Sequence, residues 1–146
     1  MIIAPADPAD YPALADLWYD SWMSIGIAND TDLDRDGVRA RFFRETAHWA
    51  LFAAKTGGEV AGLLALLPAE DRIDQIFVHP DRKGQGIGLA LLAESKRQMP
   101  GRIVLTTHET NLRARSFYER EGFRLDWHEI DDVHRRVKYH YIWTPA

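Results

Sequence analysis

The sequence predicts a single α/β domain over residues 1–146, in the order strand, two helices, three strands, helix, strand, helix, two strands. Three observations carry this expectation. Short apolar runs (WALFAAK, VAGLLALL, RIVLTT) alternate with segments whose apolar residues recur at three- and four-residue spacing. Glycine, proline and aspartate punctuate the junctions between them. The stretch VHPDRKGQGIGLALL, Val78 to Leu92, sets three glycines at alternate positions between an apolar strand and a leucine-rich helix.

The elements follow in turn. Met1 to Ala4 is a short strand. Asp7 and Pro8 cap a helix whose apolar side is Leu14, Leu17, Trp18, Trp22 and Ile25. A second helix spans Asp34 to Glu45. WALFAAK and VAGLLALL, joined by Thr56-Gly57-Gly58-Glu59, read as a hairpin, and Arg72 to Val78 is the next strand. Gly86 to Gln98 is helical and is stopped by Pro100-Gly101, and RIVLTT is a buried strand. Asn111 to Glu121 is a helix closed by Gly122 in the left-handed position, and the strands Phe123 to Ile130 and Val133 to Trp143 finish the chain. No repeat or linker divides it.

Composition narrows the function classes. With 46% hydrophobic residues the chain buries a real core, and a net charge of −4 lacks the basic excess that attracts nucleic acid or acidic membranes. The absence of cysteine removes disulfides and a thiol nucleophile, and the opening residues show no basic region followed by an apolar stretch. A cytoplasmic enzyme or binding module is the expectation.

The glycines have a physical reading. A loop between a strand ending at His79-Pro80 and a helix starting near Gly86 presents N–H groups without intrahelical partners, beside the positive end of the helix dipole. Glycine at 84, 86 and 88 removes side chains that would hold an anion away and permits positive φ, so several N–H groups can converge on a diphosphate. A dinucleotide fingerprint fails because Leu89 or Leu91 stands at the third glycine, and a P-loop fails because no G-K-[ST] follows.

Val78-His79-Pro80 with Lys83-Gly84-Gln85-Gly86-Ile87-Gly88 resembles the pyrophosphate-binding motif [Q/R]-x-x-G-x-[G/A] of the GNAT superfamily of acyl-CoA-dependent N-acetyltransferases. NLRARSFYEREGF, Asn111 to Phe123, is similar to that family's second element, N-x-x-A-x-x-x-Y-E-x-x-G-F. The resemblance implies a mixed, mostly antiparallel sheet of about seven strands flanked by four helices. It implies acetyl-CoA as co-substrate, without metal, and direct attack of a primary amine on the thioester in a ternary complex. Carried over residue by residue, the cofactor contacts are Ile76, Phe77, Val78, Lys83, Gly84, Gln85, Gly86, Ile87, Gly88, Asn111, Ala114, Phe117 and Tyr118. Lys83 departs from the usual Gln or Arg, offering a point charge where the family has a planar donor.

Within that frame Tyr118 is the expected donor to the departing sulfur, and Asn111 the bond to the pantetheine arm. A backbone N–H near Phe77 or Val78 meets the thioester oxygen. Asp74, placed by strand alternation before the glycine loop, is the leading general base. The acceptor site falls to Trp22, Asn29, Asp30 and His128, an aromatic floor with carboxylates that suits a cationic small-molecule or amino-terminal amine. The rival reading is an acyl-CoA sensor or scaffold of the same fold without turnover.

Other constellations fail. Asp32 to Gly37 begins like a calcium loop but has Phe43 at the bidentate position, and His128 to His134 misses H-E-x-x-H at Asp132. His134, Arg136, Lys138 and His140 share one face of the last strand and read as solvated. The apolar closing strand (Tyr139, Tyr141, Ile142, Trp143) is the candidate edge for pairing with a second copy as a homodimer.

Overall fold

The computed structural model describes residues 1–25, 34–133 and 135–146. Seven strands form one sheet: β1 (Ile2–Pro5), β2 (Ala50–Thr56), β3 (Glu59–Leu67), β4 (Arg72–Val78), β5 (Ile103–His108), β6 (Arg124–Asp131) and β7 (Arg136–Trp143), in the spatial order β1-β2-β3-β4-β5-β7-β6. The helices are α1 (Tyr11–Ile25), α2 (Arg35–Glu45), α3 (Ile87–Gln98) and α4 (Leu112–Arg120). Every neighbouring pair is antiparallel except β4 and β5. The expected element order and the mixed, mostly antiparallel sheet are both present.

Element ends follow the capping chemistry. Asp7 accepts from the Ala9 N–H at 2.9 Å and opens a single 3-10 turn, Pro8–Asp10, that leads into α1. Asp34 is the cap of α2 rather than its first residue, accepting from the Gly37 N–H at 2.8 Å. Gly86 likewise caps α3. Gly122, at φ 94°, closes α4 as its composition predicts. β7 starts at Arg136, three residues later than the alternation indicates, because Arg135 turns at φ 54°.

Strand alternation divides the core between the two faces of the sheet. Leu64, Leu66, Leu105 and Tyr141 pack with Leu91 and Leu92 of α3, while Leu63, Ala65, Leu51 and Ala53 pack with Leu14, Trp18, Val38 and Phe42 of α1 and α2. The second core is aromatic: Phe42 meets Tyr11, Trp18 and Trp49 at ring-centroid distances of 5.8, 6.0 and 5.7 Å. On the first face Tyr141 ties the sheet to α4, its hydroxyl donating to Glu119 Oε2 at 2.7 Å.

One expectation is corrected by the topology. β7 lies between β5 and β6 and is paired along both edges, so its apolar residues offer no free ladder to a second copy. β6 is the outer strand, and its exposed Arg124, Asp126 and Glu129 blunt that edge.

Phe42 is fully buried in this aromatic cluster. Phe42→Ala should destabilise the domain by about 3–5 kcal/mol, read as a lower urea midpoint at unchanged m-value.

Candidate active site

The site begins where the sheet stops being a sheet. β4 and β5 pair in parallel at Arg72↔Val104, and the Val104 N–H donates to the Asp71 carbonyl at 2.8 Å. Beyond that point, among the described residues, the two strands share no further ladder pair. The His79 N–H donates to the Ala61 carbonyl at 2.8 Å, which fixes the parity of the β3–β4 ladder. Phe77, opposite Leu63, therefore turns its N–H toward β3, whereas Ile76 and Val78 turn theirs into the opening. Of the two positions expected for a main-chain donor, Val78 faces the opening and Phe77 does not. Ser21 Oγ donates to the Val78 carbonyl at 3.3 Å and braces this strand end against α1.

Asp74 occupies a β-bulge: Ala65 pairs with Gln75 and Leu66 with Ile73, leaving Asp74 without a partner in register. A bulge re-aims its side chain, and here the carboxylate accepts from the indole N–H of Trp49 at 2.8 Å. Trp49 belongs to the aromatic core, so that core orients the carboxylate.

The glycine loop adjoins the opening. Gly84 (φ 84°) and Gly86 (φ 79°) adopt left-handed backbone that disfavours any side chain. A Cβ at either position meets nothing within 4 Å, so it would project into open space at the mouth of α3. Gly88 differs, since a Cβ there makes ordinary contacts with Val78 and Phe117 at 3.6 and 3.7 Å. The pKa of the Lys83 ammonium is lowered, first by desolvation and then by the nearby Arg113 guanidinium. Two cations held together at a helix N-terminus favour an anion between them.

The opening, the loop and the start of α4 enclose one cavity of about 1000 Å³. β4 contributes Asp74, Ile76, Phe77 and Val78; the loop and α3 contribute Lys83, Gly84, Gly86, Ile87 and Gly88; α4 and its cap contribute Asn111, Ala114, Phe117 and Tyr118. Trp22 of α1 completes the wall on the opposite side. Tyr118 is 7% exposed, and burial pushes its phenol pKa up, so the group keeps its proton and stays available as a donor. Asn111 caps α4, its Oδ1 accepting from the Ala114 N–H at 3.3 Å, which leaves its amide NH2 as a donor.

The sequence profile of the acetyltransferase (GNAT) family matches residues 11–123. The chain belongs to this family. That makes it an acyltransferase by membership. It is 30% identical over 139 residues to a probable N-acetyltransferase of Mycobacterium tuberculosis, covering 85% of this chain and 80% of that one. It is 31% identical over 108 residues to the peptidyl-lysine N-acetyltransferase YjaB of Salmonella typhimurium, covering 73% and 71%. Its fold matches the solution structure of apo YjaB from Escherichia coli with a TM-score of 0.79 at 19% identity, covering 100% of both chains. The PaiA N-acetyltransferase of Thermoplasma acidophilum, solved with coenzyme A, matches with a TM-score of 0.76 at 17% identity over 99% of this chain and 98% of that one.

Within this GNAT fold some expected site residues lie elsewhere. Gln85 is exposed and off the cavity wall, because the turn between two left-handed glycines points it outward. His128 is exposed on the outer strand and does not line the cavity; its ring lies 6.1 Å from that of Tyr139. Asn29 and Asp30 lie outside the described residues. The cavity also draws in residues that motif spacing does not mark: Arg82, Arg113 and Arg120 near the glycine loop, and Arg41, Thr106, His108 and Lys138 on the opposite side. For the arginines of α4 a signal existed, since Arg113 lies two residues after Asn111 and Arg120 two after Tyr118. For Thr106 and Lys138 it did not, because their proximity depends on β7 inserting between β5 and β6.

Arg113→Ala should raise the Lys83 pKa part of the way toward its ordinary value, since a like charge is removed while the larger desolvation contribution stays. NMR titration of the Lys83 side chain in the two proteins measures it.

Proposed function

We propose that this chain transfers the acetyl group of acetyl-CoA to a primary amine by direct attack in a ternary complex. The observation that carries the reading is the opening between β4 and β5, with the Val78 N–H turned into it, next to a left-handed glycine loop and the Lys83–Arg113 pair. The fit to acetyl-CoA is good on this structure's own terms. The bare Cα atoms of Gly84 and Gly86 leave room for a diphosphate, which the helix terminus and cations attract. The opening between strands suits the amide-bearing pantetheine arm, which takes the place of a missing ladder partner. Bound there, acetyl-CoA supplies an activated acyl group and a thiolate that can depart.

The protein's share of the chemistry follows. The Val78 N–H is aimed into the cavity, where a carbonyl oxygen that gains charge during attack needs a donor, and such a donor acts at full strength because it is already in place. Tyr118 is the donor to the departing sulfur. Its raised pKa makes full proton transfer to a thiolate more unfavourable than the reference values of ~10 and ~8.5 already imply, so its contribution is a hydrogen bond from a phenol that stays neutral. Lys83, Arg113 and Arg120 hold phosphates.

An acceptor amine near pKa ~10.4 arrives protonated at pH 7, and making it nucleophilic costs roughly 4.6 kcal/mol. Asp74, held by Trp49 at the cavity wall, is the carboxylate closest in the fold to this task, directly or through water. The small-molecule and amino-terminal acceptors expected from the sequence stay in the proposal, and the name of the Salmonella typhimurium relative adds the lysine side chain. Arg41 and Lys138 line the acceptor side with Asp74, which favours an acceptor that also carries an anionic group over a polyamine.

Thiol release from acetyl-CoA with spermidine, free lysine, a lysyl peptide and an amino-terminal peptide tests transfer, and calorimetry with CoA tests binding. Binding without thiol release from any acceptor would leave only the sensor reading; no binding would remove both. Tyr118→Phe should lower kcat by about 10- to 100-fold, the worth of one hydrogen bond to a charged group, with KM for acetyl-CoA little changed. Gly86→Val should weaken CoA binding by at least about tenfold, since it both strains φ and fills the cradle.

A further inference from the structure

We propose that Thr106, His140 and Glu129 form a proton relay that carries the acceptor's ammonium proton from the cavity to the surface; this rests on the transfer reaction proposed above. The three residues come from three strands, β5, β7 and β6, and share the sheet face opposite α3 and α4. Thr106 lines the cavity. Its Oγ1 lies 3.2 Å from His140 Nδ1, and His140 Nε2 lies 2.8 Å from Glu129 Oε1. Trp127 stacks on the imidazole at 3.7 Å between centroids and 5° between planes, which fixes the plane of the ring.

Donor and acceptor capacity sets the direction of the chain. An ionised carboxylate only accepts, so His140 Nε2 carries hydrogen, and the neutral ring presents the lone pair of Nδ1 to Thr106. Arg72 Nη1 donates to Thr106 Oγ1 at 3.2 Å, occupying one lone pair. The hydroxyl proton then points to Nδ1, and the second lone pair of Oγ1 faces the cavity. A hydroxyl in this state can take a proton from an ammonium while passing its own to the imidazole. Side-chain exposures of 14% for His140 and 48% for Glu129 place a half-buried imidazole between the exposed Thr106 at the open cavity and a solvated carboxylate at the sheet edge.

Position links the relay to the reaction. Two residues beyond the Arg72↔Val104 pair stand Asp74 on β4 and Thr106 on β5, on one face and across the opening. On the face of the imidazole, strand register sets Arg72 and Asp74 on β4, His108 on β5, Arg124 and Glu129 on β6 and Lys138 on β7. Arg72 and Lys138 oppose an imidazolium, and Glu129, in direct contact, favours it. The proton balance closes. One ammonium proton, drawn off by Asp74 directly or through water, crosses the opening to Thr106 and His140 Nδ1 as the Nε2 hydrogen passes to Glu129 and water; the C–N bond forms as the C–S bond breaks; the second nitrogen proton ends on the thiolate, giving amide, CoA thiol and one released proton.

The test is the pH dependence of kcat/KM by thiol release with the fastest acceptor of the panel, alongside CoA calorimetry and histidine ring 15N spectra. His140→Gln and Thr106→Val should each lower kcat/KM at pH 7 by about 100-fold with CoA affinity unchanged, and Thr106→Ser should restore most of it. The deficit should close as pH approaches ~10.4, where an alkylamine sheds its own proton. Glu129→Gln should also lower kcat/KM at pH 7 with CoA affinity unchanged, because the amide oxygen is a weaker acceptor for the Nε2 hydrogen. In the wild type the neutral His140 ring should carry its hydrogen on Nε2. Unchanged profiles in both His140→Gln and Thr106→Val, with transfer intact, overturn the relay and leave the transferase. A His140 ring with its hydrogen on Nδ1 overturns the relay whatever the turnover, and a wild type that binds CoA but acetylates no acceptor overturns both.

Discussion

A sheet interior normally leaves no main-chain group without a partner, and the separation of β4 from β5 breaks that rule beyond Arg72↔Val104. The strands are fastened at Arg72↔Val104 by the Asp71 carbonyl, with Asp71 itself at φ 53° and its carboxylate bound to Arg102 Nε at 3.0 Å. From that clamp the gap runs toward the glycine loop. The Ile76 and Val78 N–H groups, which β5 would engage if the pairing continued, therefore face the gap. The bulge at Asp74, the loop at the head of α3 and the cap of α4 all border the same gap, so each gains its meaning from it.

Local charge runs against the whole. The chain carries a net −4, yet Arg41, Arg82, Lys83, Arg113, Arg120 and Lys138 line the cavity beside Asp74 as its one lining carboxylate among the described residues. The recess therefore concentrates positive potential within an acidic chain.

What could be read from sequence was what is local. The element order, the αL glycines at 84, 86 and 122, the Asn111 cap and the buried Tyr118 are each decided within a few residues, and each is where spacing indicates. Non-local features were hidden. Alternation alone made His140 look solvated, whereas the insertion of β7 between β5 and β6 stacks it on Trp127 and joins it to Thr106 and Glu129. The same insertion removed the free edge expected of the closing strand and left His128 outside the cavity. The Trp49 indole on Asp74 spans 25 residues and depends on a bulge that no pattern announces.

The Trp49–Asp74 bond joins two things usually treated as separate, the packing of a hydrophobic interior and the aim of a reactive group. Trp49 touches Trp18 and Phe42 edge-on and reaches the carboxylate with its only polar atom. Any substitution that tilts those rings therefore turns the carboxylate as well, so repacking this half of the interior re-aims a side chain on the cavity wall.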